Sequence, residues 1–194
     1  MHMLSIARGI GALAAGLAVG YQLLSPKSDG DALLRPPGAL AEKDFLASCI
    51  RCGKCGMVCP DRIVSFGEGI NASDATPRIN AREGACRLCS DFPCIVACPT
   101  GALSPVENRE SVRMGTAVID RDRCLSLKGM RCEICYRVCP FIDSAIYIKY
   151  SMREGDNIHA IFEPVVNTEL CTGCGICVQR CVVSDPPAII IRPR

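Results

Sequence analysis

Cys49-Ile50-Arg51-Cys52-Gly53-Lys54-Cys55-Gly56-Met57-Val58-Cys59-Pro60 decides how this chain is read. Its four cysteines are separated by two, two and three residues and followed by a proline. With that spacing thiolates hold the corners of a [4Fe–4S] cube. Three further quartets follow: Cys86, Cys89, Cys94 and Cys98; Cys124, Cys132, Cys135 and Cys139; Cys171, Cys174, Cys177 and Cys181. Together the quartets use all 16 cysteines of the chain.

Two other uses of cysteine compete with this one. An even count suits a secreted disulfide framework, but disulfides do not require tight quartets. Paired CxxC knuckles suit zinc. A zinc ribbon, however, draws two thiolates from each of two separated knuckles, whereas each quartet here offers three thiolates close enough to wrap one cube. Iron–sulfur is therefore the reading carried forward.

The bulk composition agrees. The 194 residues include 4 Tyr, 5 Phe and no Trp, and cysteine inflates the 49% hydrophobic fraction. So thin a supply of large side chains calls for staples such as metal. A net charge of +2 argues against a dedicated nucleic-acid binder, which carries a basic stripe. His2 and His159 are the two histidines, and neither has a metal-site neighbour. No dinucleotide glycine fingerprint, phosphate loop or HExxH is present. With every thiol committed to metal, the chain is expected to carry electrons and not to be an enzyme.

Residues Leu4 to Leu24 form an apolar run interrupted by Arg8, about the length of a membrane span of roughly 20 residues. Residues 1–30 are accordingly expected to be an export signal or a membrane anchor. A protein with assembled clusters should cross a membrane folded, by the twin-arginine route. No Arg-Arg pair precedes the run, so Met1 is expected to be an internal start. Residues 31–48 read as a linker, extended at Pro36-Pro37, with a short helix from Glu42 to Ala47.

Residues 49–194 are expected to form one four-cluster domain. The flanks of the quartets predict short β-branched strands near 62–66, 116–120, 145–149, 163–167 and 188–191. Gly56-Met57-Val58 and Tyr136-Arg137-Val138 are expected in short helices. The expected fold is α+β: tandem bacterial-ferredoxin-like repeats making two pseudo-twofold modules around four [4Fe–4S] clusters.

In two-cluster ferredoxins the fourth cysteine of one quartet ligates the other cluster. Four quartets then make two pairs, either nested or sequential along the chain. The first and fourth quartets share tight spacing, while the second and third carry stretched gaps at Cys89–Cys94 and Cys124–Cys132. That likeness favours nesting. The expected ligand sets are Cys49, Cys52, Cys55 and Cys181; Cys171, Cys174, Cys177 and Cys59; Cys86, Cys89, Cys94 and Cys139; and Cys124, Cys132, Cys135 and Cys98. First and fourth quartets would form one module, second and third the other.

Several stretches resemble the MauM/NapG group of ferredoxin-type proteins of periplasmic nitrate reduction and methylamine utilisation. They are Leu34-Arg35-Pro36-Pro37-Gly38-Ala39, Cys86-Arg87-Leu88-Cys89-Ser90-Asp91-Phe92-Pro93-Cys94, Arg113-Met114-Gly115, Gly129 to Pro140 and Cys171-Thr172-Gly173-Cys174-Gly175. The resemblance implies four [4Fe–4S] clusters and export to the periplasm. It also implies electron transfer from a quinol-oxidising membrane ferredoxin toward a periplasmic reductase, with membrane attachment through residues 4–24 if the leader is uncleaved. Related four-cluster subunits of molybdenum oxidoreductases use nested pairing. A maturation factor for an exported redox enzyme is the alternative function.

Overall fold

The structure, a computed structural model, describes residues 33–67, 75–153, 155 and 160–194. The apolar run Leu4–Leu24, His2 and His159 lie outside the described residues. Among the described residues no helix is long and apolar enough to cross a membrane.

Helix α1 (Glu42–Ser48) leads into the first quartet, with Glu42 and Asp44 in its first turn, where the helix dipole favours negative charge. It is anchored by Phe45, which is fully buried. Single-turn helix α2 (Lys54–Met57) lies inside the first quartet and precedes strand β1 (Val64–Phe66). Strand β2 (Pro77–Ile79), helix α3 (Pro93–Val96), strand β3 (Gly115–Ile119) and helix α4 (Ile134–Arg137) come next. Strands β4 (Ile146–Met152) and β5 (Ala160–Val166), helix α5 (Ile176–Gln179) and strand β6 (Ile189–Pro193) complete the order. This is the mixed α+β content expected. Strand β2 was not foreseen, because Pro77 and Arg78 leave Ile79 as its one β-branched residue.

Among the described residues every sheet is a two-stranded antiparallel pair. The ribbon β1–β2 turns the chain from the first quartet back to the second, pairing Val64 with Ile79. Ribbon β4–β5 does the same between the third and fourth, from Ile146↔Val166 to Met152↔Ala160. The third pair joins the segment before the third quartet to the segment after the fourth: β3 with β6, from Gly115↔Pro193 to Ile119↔Ile189. The first half has a reduced counterpart, an antiparallel bridge between Ala39 and Leu103. Each half thus closes around two consecutive quartets.

Nested grouping is therefore not what the fold builds. The expectation rested on gap lengths, and a gap reports only on its own loop. The gap from Cys124 to Cys132 is taken up locally by a turn in which Met130 N–H donates to Leu125 C=O at 3.0 Å. The buried Ser126 hydroxyl, in turn, donates to Phe162 C=O on β5. The gap from Cys89 to Cys94 seats the buried Phe92 and starts α3 at Pro93. Which quartets meet is decided by the antiparallel ribbons, and these join neighbours in the chain.

The stretch expected as a linker also behaves differently. Leu34, Arg35 and Pro36 are buried; Ile79 N–H donates to Leu34 C=O at 2.8 Å and Leu40 N–H to Ala102 C=O at 3.1 Å. The two prolines hold the extended path expected of them, but it runs through the core. The main core gathers Leu34, Phe45, Leu88, Phe92, Ile95, Val112 and Met114, while a smaller one centres on Ala117, Val178 and Ile189.

Candidate metal centres

Each quartet wraps a loop whose backbone must turn sharply. The residue immediately before the second cysteine adopts a left-handed conformation in three quartets: Arg51 (φ 57°), Leu88 (φ 55°) and Gly173 (φ 73°). Side-chain-bearing residues are rare there. The third cysteine is the second residue of a single-turn helix that carries the fourth away: α2 toward Cys59, α3 toward Cys98, α4 toward Cys139 and α5 toward Cys181.

Where the fourth cysteine goes is visible in three cavities. One is lined by Cys49, Cys52 and Cys55 together with Cys98, and also by Phe45, Phe66 and Leu103. A second is lined by Cys124, Cys132 and Cys135 with Cys181. The third is lined by Cys171, Cys174 and Cys177 with Cys139, and Cys135 reaches its wall too. Their volumes, including space open to solvent, are about 350, 380 and 390 Å³. The remaining thiols also gather: the charge of Cys59 acts on both Cys89 and Cys94, and Cys94 and Cys89 act on Cys86. Cys181 does not join Cys49, nor Cys139 Cys86, as nesting required.

The donor chemistry fits iron–sulfur cubes. Among the described residues no three His, Cys, Asp or Glu side chains converge on a point that would hold a single ion. Four cysteines line each of two cavities, and five line the third. Backbone N–H groups face those sulfurs, as cube ligands require: Ala117 N–H lies 3.4 Å from Cys171 Sγ, and amides at Gly56, Leu88, Ile95, Tyr136 and Ile176 serve Cys55, Cys86, Cys94, Cys135 and Cys174. At Cys98 burial opposes ionisation. The N–H groups of Leu103, Thr100 and Ala102 and the Thr100 hydroxyl nevertheless bring the thiol below its ordinary value.

At four deeper cysteines burial wins. It pushes Cys86 and Cys135 up to about 12, and Cys55 and Cys94 up to about 11, with neighbouring thiols adding to the effect. When free, these four thiols hold their protons at neutral pH. Metal must displace those protons to bind, so the buried sulfurs are built for a positively charged partner.

Sequence reasoning missed two arginines that hold the sites in place. Arg35 is 5% exposed. It donates to both carboxylate oxygens of Glu42 at 3.0 and 2.6 Å, to Thr76 Oγ1 at 2.7 Å and to Pro77 C=O at 2.9 Å. It also lies 4.7 Å from the Phe45 ring centroid. Arg82 donates from Nη1 to the carbonyls of Val178 at 3.1 Å and Cys181 at 2.9 Å, so a residue ahead of the second quartet caps the helix of the fourth. The Leu34-Arg35-Pro36-Pro37 motif was a signal for the first. Arg82, in an ordinary polar stretch, had none.

Comparison with known proteins agrees with this chemistry. The 4Fe-4S dicluster domain family matches residues 48–102, 85–141 and 128–184. Its first match spans the first two quartets, the pair that β1–β2 closes. The chain is 41% identical over 194 residues to the ferredoxin-type protein NapG of Escherichia coli (strain K12), covering 97% of this chain and 82% of that one. It is 42% identical over 193 residues to the methylamine utilization ferredoxin-type protein MauM of Methylobacillus flagellatus, covering 97% and 81%. The ferredoxin-type protein NapF of Escherichia coli (strain K12) is 30% identical over 151 residues, 78% of this chain and 81% of that one. Quartets, cavities and likeness converge: the chain belongs to the NapG/MauM family of ferredoxin-type, 4Fe–4S iron–sulfur proteins of electron transport.

Proposed function

We propose that this chain relays single electrons through four [4Fe–4S] clusters held in two ferredoxin modules, each built from consecutive quartets. The first module binds one cluster with Cys49, Cys52, Cys55 and Cys98 and another with Cys86, Cys89, Cys94 and Cys59. The second binds one with Cys124, Cys132, Cys135 and Cys181 and another with Cys171, Cys174, Cys177 and Cys139. When bound, the clusters supply reversible one-electron chemistry. The polypeptide places them, excludes water from them and aims amides at their ligands. The observation that carries the reading is the gathering of thiols from two quartets around each site.

Contacts between sites support a linear order. Cys94 of the second site acts on Cys55 of the first. Cys86 N–H donates to Cys174 C=O at 2.9 Å, joining the second site to that of the fourth quartet. Cys135 lines the cavities of both the third and fourth quartets. The path runs first, second, fourth, third. Its ends are the sites of the first and third quartets. By likeness to NapG and MauM, the electrons come from a quinol-oxidising membrane ferredoxin-type partner and leave toward a periplasmic reductase, with the protein in the periplasm.

Iron and sulfide counts on anaerobic protein test the loading: about sixteen of each are expected, four per cube. Ligand grouping is tested by pairing substitutions. Cys52→Ala and Cys98→Ala should each remove about four irons, and the double variant the same four, because both thiols serve one cube. Loss of about eight in the double variant would overturn the grouping.

A further inference from the structure

The internal repeat serves as its own control. The second residue after the third cysteine is Met57, Val96, Arg137 and Gln179 in the four quartets. In the second half these positions are polar and engaged: Arg137 pairs with Glu133, and Gln179 donates to Glu83 C=O at 3.4 Å. In the first half they are apolar and bare, Met57 being 83% and Val96 80% exposed. Helices α2 and α3, which carry them, pack against each other. Val58 and Ile50 are exposed as well, Ile50 at 63%. The second half also exposes apolar side chains, Tyr150, Met152 and Val182 among them, but none on its two cluster helices, and exposed apolar surface on packed helices marks interaction sites.

The first quartet, which carries α2, also presents a cysteine to solvent. Cys52 is the one exposed cysteine of the sixteen, and it belongs to a site at one end of the path. Among the described residues Arg51 is the one charged residue lining that cavity, and no carboxylate lines it. Lys54 stands exposed at the start of α2.

We propose that this face, Ile50, Met57, Val58 and Val96 around Cys52 with Arg51 and Lys54 at its edge, is the port where electrons pass to or from a docked redox protein. The occupant has an apolar contact centre rimmed by carboxylates. The apolar residues bring the partner's redox centre close to the terminal cube, and the cations select an acidic surface and speed its approach. A lipid surface would match the apolar residues but would have no use for the open thiolate. The inference rests on the relay reading above and adds where the relay opens.

The experiment uses the full chain, anaerobic and iron-loaded, with an acidic flavodoxin hydroquinone as probe donor. Lys54→Glu and Met57→Glu are compared with Gln179→Glu and Arg180→Glu, which place charge at the corresponding helix of the second half. The second-order rate of cluster reduction at low ionic strength should fall about tenfold or more in the first two, and the gap should shrink as salt screens it. The other two should stay within about twofold, since steering acts within a Debye length of the port. Equal slowing by both sets, or none by the first, overturns the port. Unchanged rates with lost binding to phosphatidylglycerol vesicles would also overturn it, in favour of a membrane face. If Met57→Glu sheds iron, Lys54→Glu and its salt dependence decide alone. Iron content and complete reduction by dithionite, followed in every variant, report on the relay separately from the port.

Discussion

Gly173 and Gly53 share a left-handed backbone, φ 73° and 75°, but not a neighbourhood. A Cβ at Gly173 would lie 2.6 Å from the Gly115 carbonyl oxygen and closer still to its nitrogen, whereas a Cβ at Gly53 would meet nothing within 4 Å. The fourth quartet's loop is pressed onto strand β3, where Met114 N–H donates to Thr172 C=O at 3.0 Å. Alanine at Gly53 should therefore cost only the left-handed strain, about 1–2 kcal/mol. Alanine at Gly173 adds backbone overlap, about 1–3 kcal/mol more. Thermal unfolding of the two loaded variants checks this: Gly173→Ala should melt well below Gly53→Ala and shed iron first. Leu88 shows how the same geometry is tolerated with a side chain, since the loop's strain is offset by complete burial of the leucine.

Arg35 does for one element what iron does for the loops. It ties the Pro36-Pro37 segment to α1 through Glu42 and to the edge of β2 through Thr76 and Pro77. Arg35→Ala would leave the Thr76 hydroxyl and a Glu42 carboxylate without their cation. Because the Glu42 side chain is 41% exposed, the loss should be about 2–3 kcal/mol, below that of a fully buried pair. Denaturant unfolding should show it, and Arg35→Lys should recover only part, since lysine cannot make the two-pronged contact. At this scale most of the fold was legible. The strands at 64–66, 115–119, 146–152, 160–166 and 189–193 sit on β-branched runs beside turn residues, and each cysteine quartet announces its own loop. Strand β2 was hidden because a Pro-Arg-Ile segment carries no alternation. The grouping of quartets was hidden too: cysteine spacing fixes local wrapping, while partnership is set by pairings such as Val118↔Ile190, far apart in the chain.

Across the whole molecule, the seam between the two halves decides whether four sites make one path. It consists of Cys86 N–H to Cys174 C=O, Arg82 on the carbonyls of Val178 and Cys181, Gln179 on Glu83 C=O, and the packing of Phe141 and Ile176 against the main core. Arg82 makes two of these hydrogen bonds and is no ligand, so it can be changed without touching a thiol. Arg82→Gln should retain its iron, because every cysteine keeps its place within its own half. Coupling across the seam should weaken, since the guanidinium Nη1 that donates to both carbonyls is gone. In fully reduced protein the two inner clusters are then expected to show weaker magnetic interaction by electron paramagnetic resonance, while interactions within each half persist. Electrons entering at the first site should reach the third more slowly. A variant with unchanged coupling and unchanged transfer would mean that the remaining contacts hold the seam, and Arg82 would then be a helix cap and nothing more.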